Sequence, residues 1–116
     1  MNYRKIKRLK ALIPTLRERK RYFLIKIYCE KEISFEEIKT AILNTLKELY
    51  GEVFSKLMLI KIFEESFNQN TLIIRCTHLA KFFLSFALGK INEINGKKVL
   101  IRIIKISGTI RSLLKE

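Results

Sequence analysis

Four runs of this chain are apolar at every second position, and that alternation limits its fold more than any other feature. They are "RYFLIKIYC" (21–29), "KLMLIKIFEES" (56–66), "TLIIRCT" (71–77) and "KVLIRIIKIS" (98–107). Successive side chains of a strand point to opposite faces of a sheet, so residues two apart share a face. One such set is wholly apolar: Phe23, Ile25, Ile27, Met58, Ile60, Ile62, Leu72, Ile74, Cys76, Val99, Ile101 and Ile103. It predicts a buried face.

Two helices are predicted between these strands. "SFEEIKTAILNTLKELYG" (34–51) opens with Ser34 and Glu37 in the S-x-x-E spacing of a capping box. It carries Ile38, Ala41, Ile42, Thr45 and Leu49 at helical spacing, and Gly51 supplies a left-handed stop. The second helix follows Thr77, its expected cap. Its apolar stripe reads Leu79, Phe82, Phe83, Phe86 and Ala87, and it ends at the polar "NEING" turn. "FNQN" joins the middle two strands as a hairpin. The order β-α-β-β-α-β predicts an α+β fold, ferredoxin-like or RRM-like, with both helices on one face of an antiparallel sheet. Residues 1–19 read as a basic N-terminal arm, 20–107 as the domain and 108–116 as a helical tail.

The opposite sheet face is mixed. It holds Lys26, Lys61, Arg75 and Arg102 among Tyr22, Leu24, Tyr28, Leu59, Phe63, Ile73 and Ile104. So many large apolar side chains are not left to water, and the cover is a terminal helix of this chain, a partner protein or RNA.

Charge narrows the function. The 116 residues hold 24 Lys and Arg against 11 acids, a net charge of +13. Residues 1–22 contribute +8 and residues 97–116 contribute +5, while the middle sums to zero. Two basic ends on a neutral centre fit an anionic partner such as nucleic acid. No apolar run nears the roughly 18–20 residues of a membrane span, so no membrane partner is expected and the chain reads as cytoplasmic.

Catalytic chemistry finds no support. The single His78 gives no triad, Glu36–Glu37 and Glu64–Glu65 read as surface pairs, and no phosphate-binding glycine loop is present. Cys29 and Cys76 have no zinc or redox spacing and read as buried thiols. On antiparallel neighbouring strands they would lie ~20 Å apart, too far for a disulfide. The third strand also lacks the aromatic signature by which RNA-recognition motifs stack on bases, so structured RNA held through phosphates fits better.

Several stretches resemble the protein component 2 family of ribonuclease P in archaea, whose eukaryotic relative is shared by ribonuclease P and ribonuclease MRP. They are "PTLRERKRY" (14–22), "YGEVF" (50–54), "IRCTH" (74–78), the "ING" turn with its basic strand and "SGTIR" (107–111). The resemblance implies a non-catalytic subunit that supports a catalytic RNA in removing the 5′ leader of precursor tRNA. It implies partnership with ribonuclease P RNA and with the barrel-type protein component 3, in a complex that can contain two copies of each. This chain would bind no cofactor, Mg2+ serving the RNA active site. A free-standing RNA-binding or ribosomal protein of the same fold is the alternative.

The expected RNA contacts are Arg17, Arg19, Lys20 and Arg21 of the arm, together with Arg4, Lys5, Lys7 and Arg8. To these are added Lys97, Lys98 and Arg102 of the last strand, and Ser107, Gly108, Thr109 and Arg111 of "SGTIR". There Ser107 or Thr109 would cap the tail helix, Gly108 would take a positive φ, and Arg111 would help clamp a phosphate at the helix start. Tyr22, Leu24, Tyr28, Leu59, Phe63 and Ile73 are the expected partner interface.

Overall fold

A computed structural model of the chain describes residues 19–114. The elements run β1 (Lys20–Cys29), α1 (Phe35–Leu57), β2 (Lys61–Asn68), β3 (Thr71–Thr77), a 3-10 turn (His78–Ala80), α2 (Lys81–Lys90), β4 (Glu93–Ile94), β5 (Lys97–Ser107) and α3 (Ile110–Leu113). The strands form one sheet in the order β2-β3-β1-β5-β4, with every neighbouring pair antiparallel. This is the expected α+β architecture with one added edge strand. The N-terminal arm lies outside the described residues, apart from Arg19.

The apolar strand set behaves as its alternation requires. Phe23, Ile25, Ile27, Leu72, Ile74, Cys76, Val99 and Ile101 are buried in one cluster with Ile38, Ile42, Leu46, Leu84, Ala87 and Leu88 of the two helices. Ile60, Ile62 and Ile103 pack against its margin. The capping box of α1 is formed: Ser34 Oγ accepts from the Glu37 N–H at 3.3 Å, and Glu37 Oε1 accepts from the Ser34 N–H at 3.2 Å.

Three boundaries differ from the sequence reading. Gly51 does take a positive φ of 84°, but it kinks the helix instead of ending it, and helical backbone resumes to Leu57. Burial of Leu57 and Met58 rewards that extra turn, so Lys56–Ile60 is not strand and β2 starts at Lys61. Met58 is therefore a core residue supplied by the helix end. In α1 the buried line is Ile38, Ile42 and Leu46, while Leu49 is 38% exposed. The "NEING" segment forms a small hairpin, with Asn95 and Gly96 at positive φ and β4 pairing with β5.

The larger correction concerns α2. Its buried residues are Leu84, Ala87 and Leu88, whereas Leu79, Phe82, Phe83 and Phe86 are exposed. The helix is apolar on two sides, and periodicity alone does not tell which one meets the sheet. Nor does Thr77 cap it, since its side chain makes no cap hydrogen bond.

Both thiols are free, and Cys76 pairs opposite Arg21, at the far end of β1 from Cys29. Burial pushes the Cys76 thiol up to about 12. Cys29 is only half-buried, at the end of its strand, contrary to expectation.

Candidate nucleic-acid interface

The antiparallel register brings Arg19, Lys20 and Arg21 beside the end of β5 at one end of the sheet. Lys20 pairs with Thr77, Arg21 with Cys76 and Tyr22 with Ser107, so the start of β1 meets the ends of β3 and β5. The His78 N–H donates to the Arg19 carbonyl at 3.0 Å, and Lys81 opens α2 beside it. Arg21 Nη1 donates to the Lys20 carbonyl at 2.8 Å, which fixes the guanidinium over the sheet end. A groove here is lined by Arg21, Lys81, Phe82, Ser85, Ile106, Ser107 and Gly108, with no acid among them.

His78 registers the local field. Burial lowers its pKa first, and Arg21, Lys81 and Arg19 lower it further because a second positive charge among them is unfavourable. Its Nδ1 is buried and has no hydrogen-bond partner. Three cations crowd this histidine, and an anion among them would relieve their mutual repulsion.

The "SGT" stretch is only partly as expected. Thr109 caps α3, its Oγ1 accepting from the Ser112 N–H at 3.1 Å, and Ser107 Oγ accepts from the Thr109 N–H at 3.5 Å. Gly108 does not take a positive φ. A Cβ there would sit 3.4 Å from Arg21 Nη1, an ordinary contact with the end of a flexible side chain, and would meet no neighbouring backbone. Arg111 is exposed one residue into α3. With four residues, α3 has little macrodipole, so helix charge adds little to an anion site there.

The remaining candidates lie elsewhere. Lys97 and Lys98 start β5, at the opposite end of the sheet from Ser107. Lys97 Nζ forms an ion pair with Glu37 Oε2 at 3.2 Å and donates to the Glu32 carbonyl at 3.0 Å. Lys98 pairs across the strands with Glu93. Arg102 stands opposite Lys26 in mid-sheet. Arg17 falls outside the described residues.

On the second sheet face Tyr22 and Phe63 pack with ring centroids 6.3 Å apart. Lys61 Nζ lies 5.0 Å and the Arg75 guanidinium 5.9 Å from the centre of the Phe63 ring, and Lys26 Nζ lies 5.4 Å from that of Tyr28. Such cation–π contacts hold charge above an apolar surface. Part of this face is covered by the chain itself. α3 packs on β1 and β5, burying Leu113 to 2% exposure, and Lys105, opposite Leu24, donates to the Ser112 carbonyl at 2.8 Å. Ile73 is buried and Leu24 half-buried, while Tyr28 is 41% exposed. Leu59 is not on this face: at φ 51° it sits in the turn after α1, near Leu43 and Lys47.

His78 and Lys81 are the basic-end residues that sequence reading passed over. The signal was the strand order, which brings the end of β3 beside the start of β1. Among the described residues no cluster of three His, Cys, Asp or Glu could hold a metal ion.

Residues 21–116 match the Rpp14/Pop5 family. The chain is 40% identical to the ribonuclease P protein component 2 of Pyrococcus furiosus over 113 residues, covering 94% of this chain and 91% of that one. It is 37% identical to the protein of the same name in Thermococcus kodakarensis, over 92% of this chain and 89% of that one. In fold it is similar to a chain of yeast ribonuclease MRP, with a TM-score of 0.67 and 19% identity over 84% of this chain and 79% of the other. The basic sheet end, the "SGTIR" turn and these likenesses lie on one stretch of sequence, and the chain belongs to the Rpp14/Pop5 family.

Proposed function

We propose that this chain is a non-catalytic protein subunit of ribonuclease P, and that it holds the RNA of that enzyme by its phosphates while the RNA cleaves the 5′ leader from precursor tRNA. The relatives named ribonuclease P protein component 2 cover almost the whole chain, which supports the assembly. The observation that carries the RNA contact is the acid-free groove between Arg21, Lys81, Ser107 and Gly108, backed by His78. A phosphate there would meet two cations and the backbone of the "SGT" turn, an arrangement suited to charge-assisted hydrogen bonds. Arg19, Lys20 and Arg111 would take neighbouring phosphates, and Arg17 with the rest of the arm would extend the track. Lys98 and Arg102 would meet the same RNA elsewhere. Lys97 would do so only by leaving Glu37.

The same reading includes protein component 3 as a partner, two copies of each protein in the complex, Mg2+ at the RNA active site, and work in the cytoplasm. On the second sheet face the side around Tyr28, Phe63 and Arg102 remains open to that partner or to RNA.

The test is purification of the tagged full-length chain with whatever RNA accompanies it, followed by a precursor-tRNA cleavage assay. One dominant RNA together with 5′-leader removal is expected. Ribosomal RNA without that activity would favour the ribosomal alternative. Arg21→Glu with Lys81→Glu should lower RNA affinity at least tenfold and reduce its salt dependence by about two phosphate contacts, each worth a log–log slope of about −0.7 to −0.9. An unchanged slope would remove this groove from the interface.

A further inference from the structure

The outward side of α2 is the least expected surface of the molecule. Leu79, Phe82, Phe83 and Phe86 follow i, i+3, i+4, i+7 spacing, the pattern of a buried stripe, yet Phe82 is 73% and Phe86 56% exposed. The three phenylalanines alone expose roughly 300 Å² of ring surface, the size of the largest apolar patch on an ordinary monomer. One ring of the patch is held in place by its neighbours. Phe83 stands edge-on to Tyr50 and Phe54, with ring centroids 5.2 Å and 5.1 Å away, and the Tyr50 hydroxyl donates to the Phe83 carbonyl at 2.8 Å. Its rim is cationic. Lys81 Nζ lies 5.1 Å from the centre of the Phe82 ring and Lys90 Nζ 5.6 Å from that of Phe86, and α2 contains no acid.

We propose that this face is a protein-docking surface, and that its partner presents an apolar ridge flanked by carboxylates. Anchors at this spacing are how a helix and a facing apolar groove or ridge recognise each other. Lys90, at the end of the stripe outside the groove of Arg21 and Lys81, demands an acid opposite it, since an unmatched charge at the rim of a closing apolar contact loses water without compensation. A second copy of this chain does not meet that demand, because a two-fold contact would set lysine against lysine. The chain's own residues 1–18, with six cations and one acid, carry the same sign as the rim. RNA would satisfy the lysines but not the whole stripe, since Leu79 offers no face for stacking and Phe83 already packs edge-on against two rings, which leaves only Phe82 and Phe86 to meet a base. The inference rests on the reading that the chain works inside an assembly, but not on which RNA that assembly holds.

The test is photo-crosslinking in the purified native complex, with a benzophenone amino acid replacing Phe82 or, separately, Phe86. Mapped crosslinks are expected on another protein, within an apolar segment that has Asp or Glu nearby. Lys90→Glu should weaken those crosslinks, and Phe86→Ser, outside the groove at Arg21 and Lys81, should weaken retention of that protein about 30-fold or more, as for an interface anchor. Because Phe82 and Phe86 are exposed, circular dichroism should show both variants folded. Crosslinks to RNA, to a second copy, to residues 1–18, to a protein segment without acids, or to nothing would each overturn the proposal. Absence of ribonuclease P activity from the complex would overturn the functional reading and leave the crosslink result standing.

Discussion

Glu37 shows how much one side chain can join. Hydrogen bonds from the Asn95 amide, from the Ser34 N–H and from Lys97 hold its carboxyl down from the ordinary 4.5 to about 2. The same residue therefore caps α1 and ties that helix to the β4–β5 turn. A carboxyl with a lowered folded pKa contributes stability that is complete above its unfolded pKa and is lost as pH falls toward the folded one. Glu37→Gln should thus reduce thermal stability near neutral pH and flatten its fall between about pH 4.5 and 2. Melting curves across that window would show it, and an unchanged acid limb would mean that other carboxylates set it. The capping box was legible from Ser34 and Glu37 alone. The links to Asn95 and Lys97, some sixty residues away, follow only from the topology, so Lys97 read as an RNA contact when its ammonium is engaged inside the fold.

Among the elements, β1, β3, β5 and the start of α1 were legible because alternation, β-branching and a cap all agreed, whereas the end of α1 and the start of β2 were not. α2 was not, because the Leu79–Phe86 stripe and the Leu84–Leu88 side are both apolar, and the smaller residues won the core. Ala87 and Leu88 allow the helix to lie close to the sheet, whereas three phenylalanines would hold it off. The two-ended basic charge was legible as well, but the groove at Arg21 and Lys81 needed the pairing of Tyr22 with Ser107. The short α3 was foreseen as a tail, and its packing was left open. Leu113 at 2% exposure indicates that this single turn is part of the fold. Leu113→Ala should cost about 2–4 kcal/mol, as for other buried leucines, and urea titration would measure it. A loss near zero would show α3 to be free of the sheet in solution.

At the scale of the whole molecule, β2 carries a consequence. It is an edge strand, and its six residues Phe63 to Asn68 make five steps against the two from Ile73 to Thr71 on β3. Ser66 fills the gap: its hydroxyl accepts from the Ile73 N–H at 2.9 Å and donates to the Phe63 carbonyl at 2.6 Å. The opposite edge is β4, two residues long. The β2 border therefore offers no long, straight ladder of unpaired amides, and the bulge also presents Glu64 and Glu65 to water. An edge bent and charged in this way is a poor template for strand-by-strand extension into fibrils. Deleting Glu64, Glu65 and Ser66 should straighten the border, and thioflavin T fluorescence of the concentrated variant should then rise where that of the parent stays flat.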